Sequence, residues 1–126
     1  MPSTAHSFKF STAGGPEVLT WSEETLAAPS EGQVQVRQEA IGVNYIDVYH
    51  RAGTYPLPLP SGVGGECAGV ITAVGANVGG FKVGDRVVYA GGPPGAYATA
   101  RNVPAARVIK LPDDISTIDA ASLIFK

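Results

Sequence analysis

Glycine and proline interrupt this chain so often that it has little room for long helices. Sixteen glycines and ten prolines stand among 126 residues, and the stretches between them are short and rich in Val, Ile, Tyr and Phe, the residues that fit a pleated surface. The pattern predicts strands. HSFKFST alternates, GGPE turns, and VLTWSEE resumes an extended pattern. QVQVRQEAIGV, residues 33–43, alternates again, with Val34, Val36, Ile41 and Val43 as the expected inward positions. CAGVITAVG, residues 67–75, is an apolar strand; ANVGGFKVGD carries turn chemistry, RVVYA is a further strand, and GAYATARNVPAARVIKLP holds two more. A mainly β fold with short helices follows, its roughly six to eight strands expected to close into a barrel because closure removes exposed edges.

Two segments depart from the strand pattern. In NYIDVYHRAG, Ile46, Tyr49 and His50 recur at helical spacing, Asn44 can cap, and Gly53 can end the helix in a left-handed conformation. TYPLPLP then runs as a rigid extended segment across the surface or along a cleft, because each proline holds its own φ and restricts the residue before it. Near the end, Ser116 and Asp119 have the spacing of a capping box and begin a second helix. That helix has no glycine or proline stop before Lys126, so the chain is expected to be cut inside it.

Composition narrows the function classes. The 9 basic and 11 acidic residues are scattered and sum to −2, which leaves no basic stripe for nucleic acid. No apolar run approaches the roughly 18 residues of a membrane span, and MPSTAHSFKF has neither the apolar core nor the cleavage site of a secretion signal. The single cysteine, Cys67, suits a reducing cytoplasm.

The loop SGVGGECAGV invites comparison with a phosphate cradle. Gly62 and Gly64 start the dinucleotide pattern, but its third position is Cys67 and a strand follows where a helix should open. Metal-ligand spacings such as Cys-x-x-Cys or His-x-x-x-His are absent as well. Backbone geometry is the remaining use for these glycines, and a lone cysteine on an apolar strand reads as a small buried hydrophobe.

GVNYIDVYHRAGTYP, PSGVGGECAGVITAVG, FKVGDRVVYA and GAYATARNVPA together resemble the zinc-independent quinone oxidoreductases, the zeta-crystallin-like branch of the medium-chain dehydrogenases/reductases. The likeness runs through essentially all 126 residues. It implies a GroES-like (chaperonin-10-like) β-barrel over residues 1–126, the catalytic domain, with a Rossmann cofactor domain expected after Lys126. It further implies NADPH as hydride donor, a small-molecule quinone as acceptor, a cytoplasmic location and a homodimer when full-length. Zinc-dependent relatives hold a ligand cysteine where this chain has Asn44 and a ligand histidine where it has Gly65, and their structural zinc lobe is replaced by the short GGPPGAYA between Ala90 and Thr99. No zinc is therefore expected.

The resemblance also distributes roles. Asn44, Tyr45, Ile46 and Asp47 border the nicotinamide end of the cofactor, although Asn44 reads equally as a helix cap. Tyr49 is the candidate catalytic residue, able to stack beside a flat ring and hydrogen-bond a quinone oxygen, and Tyr55 joins it at the substrate. Arg51 is expected to pair with Asp47 four residues earlier, and Glu66 to cap turn N–H groups or pair with Arg86. His6, His50 and Trp21 receive no role. An enal or enone reductase and a non-enzymatic binding module stand as alternatives.

Overall fold

A computed structural model describes residues 3–125. Strands β1 (Ser3–Phe10), β2 (Thr20–Leu26) and β4 (Ser61–Gly62) form one sheet in the order β2-β1-β4. The larger sheet, β7-β3-β5-β6-β8, combines β3 (Gln33–Ile41), β5 (Glu66–Val74), β6 (Arg86–Ala90), β7 (Ala100–Pro104) and β8 (Val108–Lys110), every neighbouring pair antiparallel. Helix α1 (Tyr45–Ala52) leaves β3, and α2 (Thr117–Leu123) follows β8. No helix among the described residues is long and apolar enough to cross a membrane.

The expected barrel is not closed. β7 and β8, five and three residues long, remain the two edges of the larger sheet. The smaller sheet meets that sheet at one isolated bridge, Ser7 with Ala98, flanked by Phe8 N–H to the Tyr97 carbonyl at 2.9 Å and Thr99 N–H to the His6 carbonyl at 2.8 Å. At one end the seam stops because β4 takes over the edge of β1, Gly62 and Ser61 pairing with Lys9 and Phe10.

The main core occupies one face of the larger sheet, where Val34, Val36, Cys67, Ile71, Val87, Tyr89 and Val103 pack together. The pleat turns their neighbours Ala68 and Val88 to the opposite face, and there Ala120 and Ala121 of α2 cover them. Ser116 caps α2, its hydroxyl accepting from Asp119 N–H at 3.0 Å, as its spacing predicts.

Strand β3 corrects the sequence reading at its far end. Val34 and Val36 are fully buried, whereas Ile41 and Val43 are 39% and 73% exposed. The register shift at Gln38/Ala40 sets Ile41 opposite Cys67, on the face of Val36, but Ile41 is the last residue of β3 and Val43 lies beyond it, so neither is covered as the middle of the strand is.

Burial in this core has a consequence for alkaline stability. Loss of solvation pushes the Cys67 thiol from 9.0 up to about 12 and raises the Tyr89 hydroxyl as well, the nearby Cys67 adding to the effect. The folded protein therefore keeps these protons to higher pH than the unfolded chain does, and stability is expected to fall as pH rises above about 9. Urea titrations between pH 8 and pH 10.5 should show a declining midpoint; a constant midpoint would contradict this account.

Candidate active site

The site is assembled where α1, the glycine loop before β5 and the GGPPGAY segment after β6 converge. Asn44 is the N-cap of α1 and Gly53, at φ +87°, ends the helix in the left-handed region. Asp47, in the first turn, is 3% exposed. Its Oδ2 accepts from the Asn44 backbone N–H at 3.0 Å and from the Tyr97 hydroxyl at 2.7 Å. Burial and this carboxylate both raise the Tyr97 hydroxyl above its ordinary pKa.

Tyr97 is brought to Asp47 by backbone that only glycine permits. Gly64 lies at φ +101°, and a Cβ there would stand 2.4 Å from Cδ1 of the Tyr97 ring. Its carbonyl accepts from Gly95 and Ala96, and Val63 accepts from Tyr97 N–H. From the other side, the Gln38 side-chain amide donates to the carbonyls of Ala96 and Ala98 at 2.6 and 2.8 Å, holding both neighbours of Tyr97, while its oxygen accepts from the buried Tyr89 hydroxyl. The glycine loop thus aims an aromatic hydroxyl at the first turn of α1.

Ile46, Asp47 and His50 face a cavity of about 90 Å³ floored by Gly64, Gly65, Gly91 and Gly92 and bordered by Pro94 and Phe125. A side chain on Gly65 would project toward Phe125 and the Gly91 nitrogen. The space is small, and no phosphate cradle accompanies it among the described residues.

Outside the cavity, three tyrosines line up. Tyr45 and Tyr49 stand 6.3 Å apart on α1, and Tyr55 meets Tyr49 edge to face at 5.3 Å. They are 79%, 39% and 52% exposed, respectively. The expected site residues therefore divide into three groups: Ile46 and Asp47 at the cavity; Tyr45, Tyr49 and Tyr55 on the adjoining surface; and Asn44, whose side-chain amide is bonded to Glu66. His50 joins the first group although its sequence context gave no sign of it. Tyr97 and Gln38 complete the site, and the one signal for Tyr97 in the sequence is its place just after a Gly-Pro-Pro-Gly turn.

The expected Asp47–Arg51 pair gives way to other contacts, and of the two expectations for Glu66 it is the turn N–H and not Arg86 that the carboxylate meets. Arg51 donates from Nε to the Gly14 carbonyl at 3.2 Å, while Asp47 Oδ2 serves Tyr97 and the cap. Arg86 lies opposite Val70, four residues along β5 from Glu66, and donates to the carbonyls of Pro112 and Ile115. Glu66, 0% exposed, accepts from Asn44 Nδ2 at 2.9 Å and from Phe125 N–H at 2.9 Å.

Nor does the donor set suit a metal. No group of three or more His, Cys, Asp or Glu among the described residues could hold an ion. Cys67 turns its thiol into the core, where burial keeps it protonated, and Gly65 offers no side chain at all.

Residues 30–113 match the family model described as the alcohol dehydrogenase GroES-like domain. The chain is 47% identical over 123 residues to a quinone oxidoreductase of Pseudomonas aeruginosa, covering 97% of this chain and 38% of that protein. It is 44% identical over 120 residues to a 2-haloacrylate reductase of a Burkholderia species, covering 90% of this chain and 36% of that protein. Among solved structures, the Escherichia coli quinone oxidoreductase complexed with NADPH superposes with a TM-score of 0.89 at 48% identity, over 94% of this chain and 36% of the other. The chain thus spans a little over a third of the length of these relatives.

Proposed function

This chain belongs to the family of alcohol dehydrogenase GroES-like domains, and from that premise we propose that it is the catalytic domain of an NADPH-dependent quinone reductase. The observation that carries the reading is the small, glycine-floored cavity beside an exposed tyrosine cluster, taken with the likeness to quinone oxidoreductases, one of them complexed with NADPH. The missing phosphate cradle and the relatives' greater length support a separate dinucleotide-binding domain in the intact enzyme. A cytoplasmic homodimer is part of the same proposal, resting on the family resemblance and on the single cysteine, which suits a reducing compartment.

Bound NADPH would supply a hydride. Ile46 and Asp47 would wall its nicotinamide end at the cavity, with Asn44 and Tyr45 bordering it from the start of α1 and Asp47 acting mainly through the loop it ties down. Tyr49 and Tyr55 would hold the flat acceptor beside it, and the Tyr49 hydroxyl would donate a hydrogen bond to the quinone oxygen that gains negative charge. A quinone accepts electrons readily, so orientation and a proton donor suffice where an alcohol/aldehyde pair needs its oxygen polarised. A zinc-free donor set is consistent with that chemistry.

In the intact enzyme, Tyr49→Phe is expected to slow benzoquinone reduction about tenfold while the NADPH dissociation constant stays within about twofold. Steady-state assays and fluorescence titration of NADPH measure the two; unchanged turnover would return Tyr49 to packing. The likeness to a 2-haloacrylate reductase favours a second reading, reduction of a conjugated carbon–carbon double bond at the same site. Faster NADPH oxidation with an enone than with benzoquinone would select it, and failure to bind NADPH at all would leave a binding module.

A further inference from the structure

Glu66 divides its carboxyl oxygens between two parts of the fold. Oε1 accepts from the side-chain amide of Asn44, at the start of α1, and Oε2 accepts from the backbone N–H of Phe125, just past α2. The side chain is wholly buried. Gly42 gives it passage: a Cβ at that position would stand 1.9 Å from Oε1 and 2.8 Å from the Ala121 carbonyl. Both of these partners are N–H donors, so an acceptor is required at each end.

Resting on the reading of Asn44 as part of the nicotinamide wall, we propose that Glu66 is a positioning residue that latches the Asn44 amide to the segment following α2. The carboxylate dictates which way that amide faces, because only its NH₂ end can meet an acceptor. It also makes the direction of the amide depend on where the backbone at Phe125 sits. A shift of that segment would be passed to the wall of the site through a single buried group.

The chemistry of the two bonds permits a test that separates a latch from simple filling of space. In Glu66→Gln the introduced amide can accept at one end only, and its NH₂ then opposes a donor at the other. In Asn44→Asp two carboxylates face each other. Combining the two substitutions restores complementarity: the new amide accepts from Phe125 N–H and donates to the new carboxylate, which is still a good helix cap.

Amide hydrogen exchange of Phe125, followed by NMR on this chain, should quicken about tenfold in either single variant, the scale of losing a hydrogen bond to a charged acceptor. Protection should return to within about twofold of the original in the double variant. Unaltered exchange in Glu66→Gln, or a double variant no better protected than the singles, would overturn the latch. Should Glu66→Gln fold poorly, Asn44→Asp against the double variant decides the matter alone. Neither measurement involves NADPH or a quinone, so failure of quinone reduction would overturn the role given to Asn44 and leave this test standing.

Discussion

Asp47→Ala is expected to destabilise the protein by about 3 kcal/mol, because it strands two donors at once. The Tyr97 hydroxyl and the Asn44 backbone N–H both end on Asp47 Oδ2, in a place where the carboxylate is only 3% exposed. Alanine's better helix propensity returns only a few tenths of a kcal/mol. Asp47→Asn keeps the shape and an acceptor, so it should cost about half as much. A spectroscopic sign accompanies the loss: burial and Asp47 together raise the Tyr97 hydroxyl, so removing the carboxylate should lower the pH at which that tyrosine ionises, seen in ultraviolet difference spectra. Urea unfolding supplies the energies, and a loss below 1 kcal/mol would mean that Tyr97 finds another partner. With the hydroxyl released, the aromatic wall held by Gly64 and Gln38 would loosen as well.

Gly69→Ala is the second large effect. Gly69 pairs with Gln38 across the contact between β3 and β5, and a Cβ there would lie 2.1 Å from the Arg37 carbonyl oxygen and 3.0 Å from Gln38 Cα. These are backbone atoms of a central strand, which cannot turn aside as a flexible side chain would. The strands must part, and the cost is expected to be about 3 kcal/mol. Thermal unfolding followed by circular dichroism should move down by roughly 10 °C. Gly79→Ala is the matched control, since nothing lies within 4 Å of its Cβ position; it should leave the melting temperature within a few degrees. Equal behaviour of the two variants would show that β3 and β5 separate at no cost.

Local chemistry made much of this protein legible in its sequence. Asn44 and Gly53 marked the two ends of α1, and Ser116 with Asp119 the start of α2, because caps act within one turn of the chain. RVVYA, bounded by turn residues, became β6 with both ends as expected. That neither Asn44 nor Gly65 offers a thiolate or an imidazole could be read in the same way, since a side chain's donor atoms are a property of the residue itself.

Tertiary structure decided whatever depended on the meeting of distant segments. Whether the sheet closed was settled by how far 97–99 could pair with β1, which no single strand encodes. Ile41 and Val43 came to the surface because β3 ends at Ile41, and where a strand stops being covered depends on the segments packed beside it. Asp47 had an arginine four residues away and bonded instead to a tyrosine fifty residues on; Glu66 joined the N-cap of α1 to the backbone beyond α2. Sequence determined which donors and acceptors were present and how each short element began and ended. Only the folded chain could pair those groups, because a buried polar atom takes whatever complementary group the packing brings within about 3 Å.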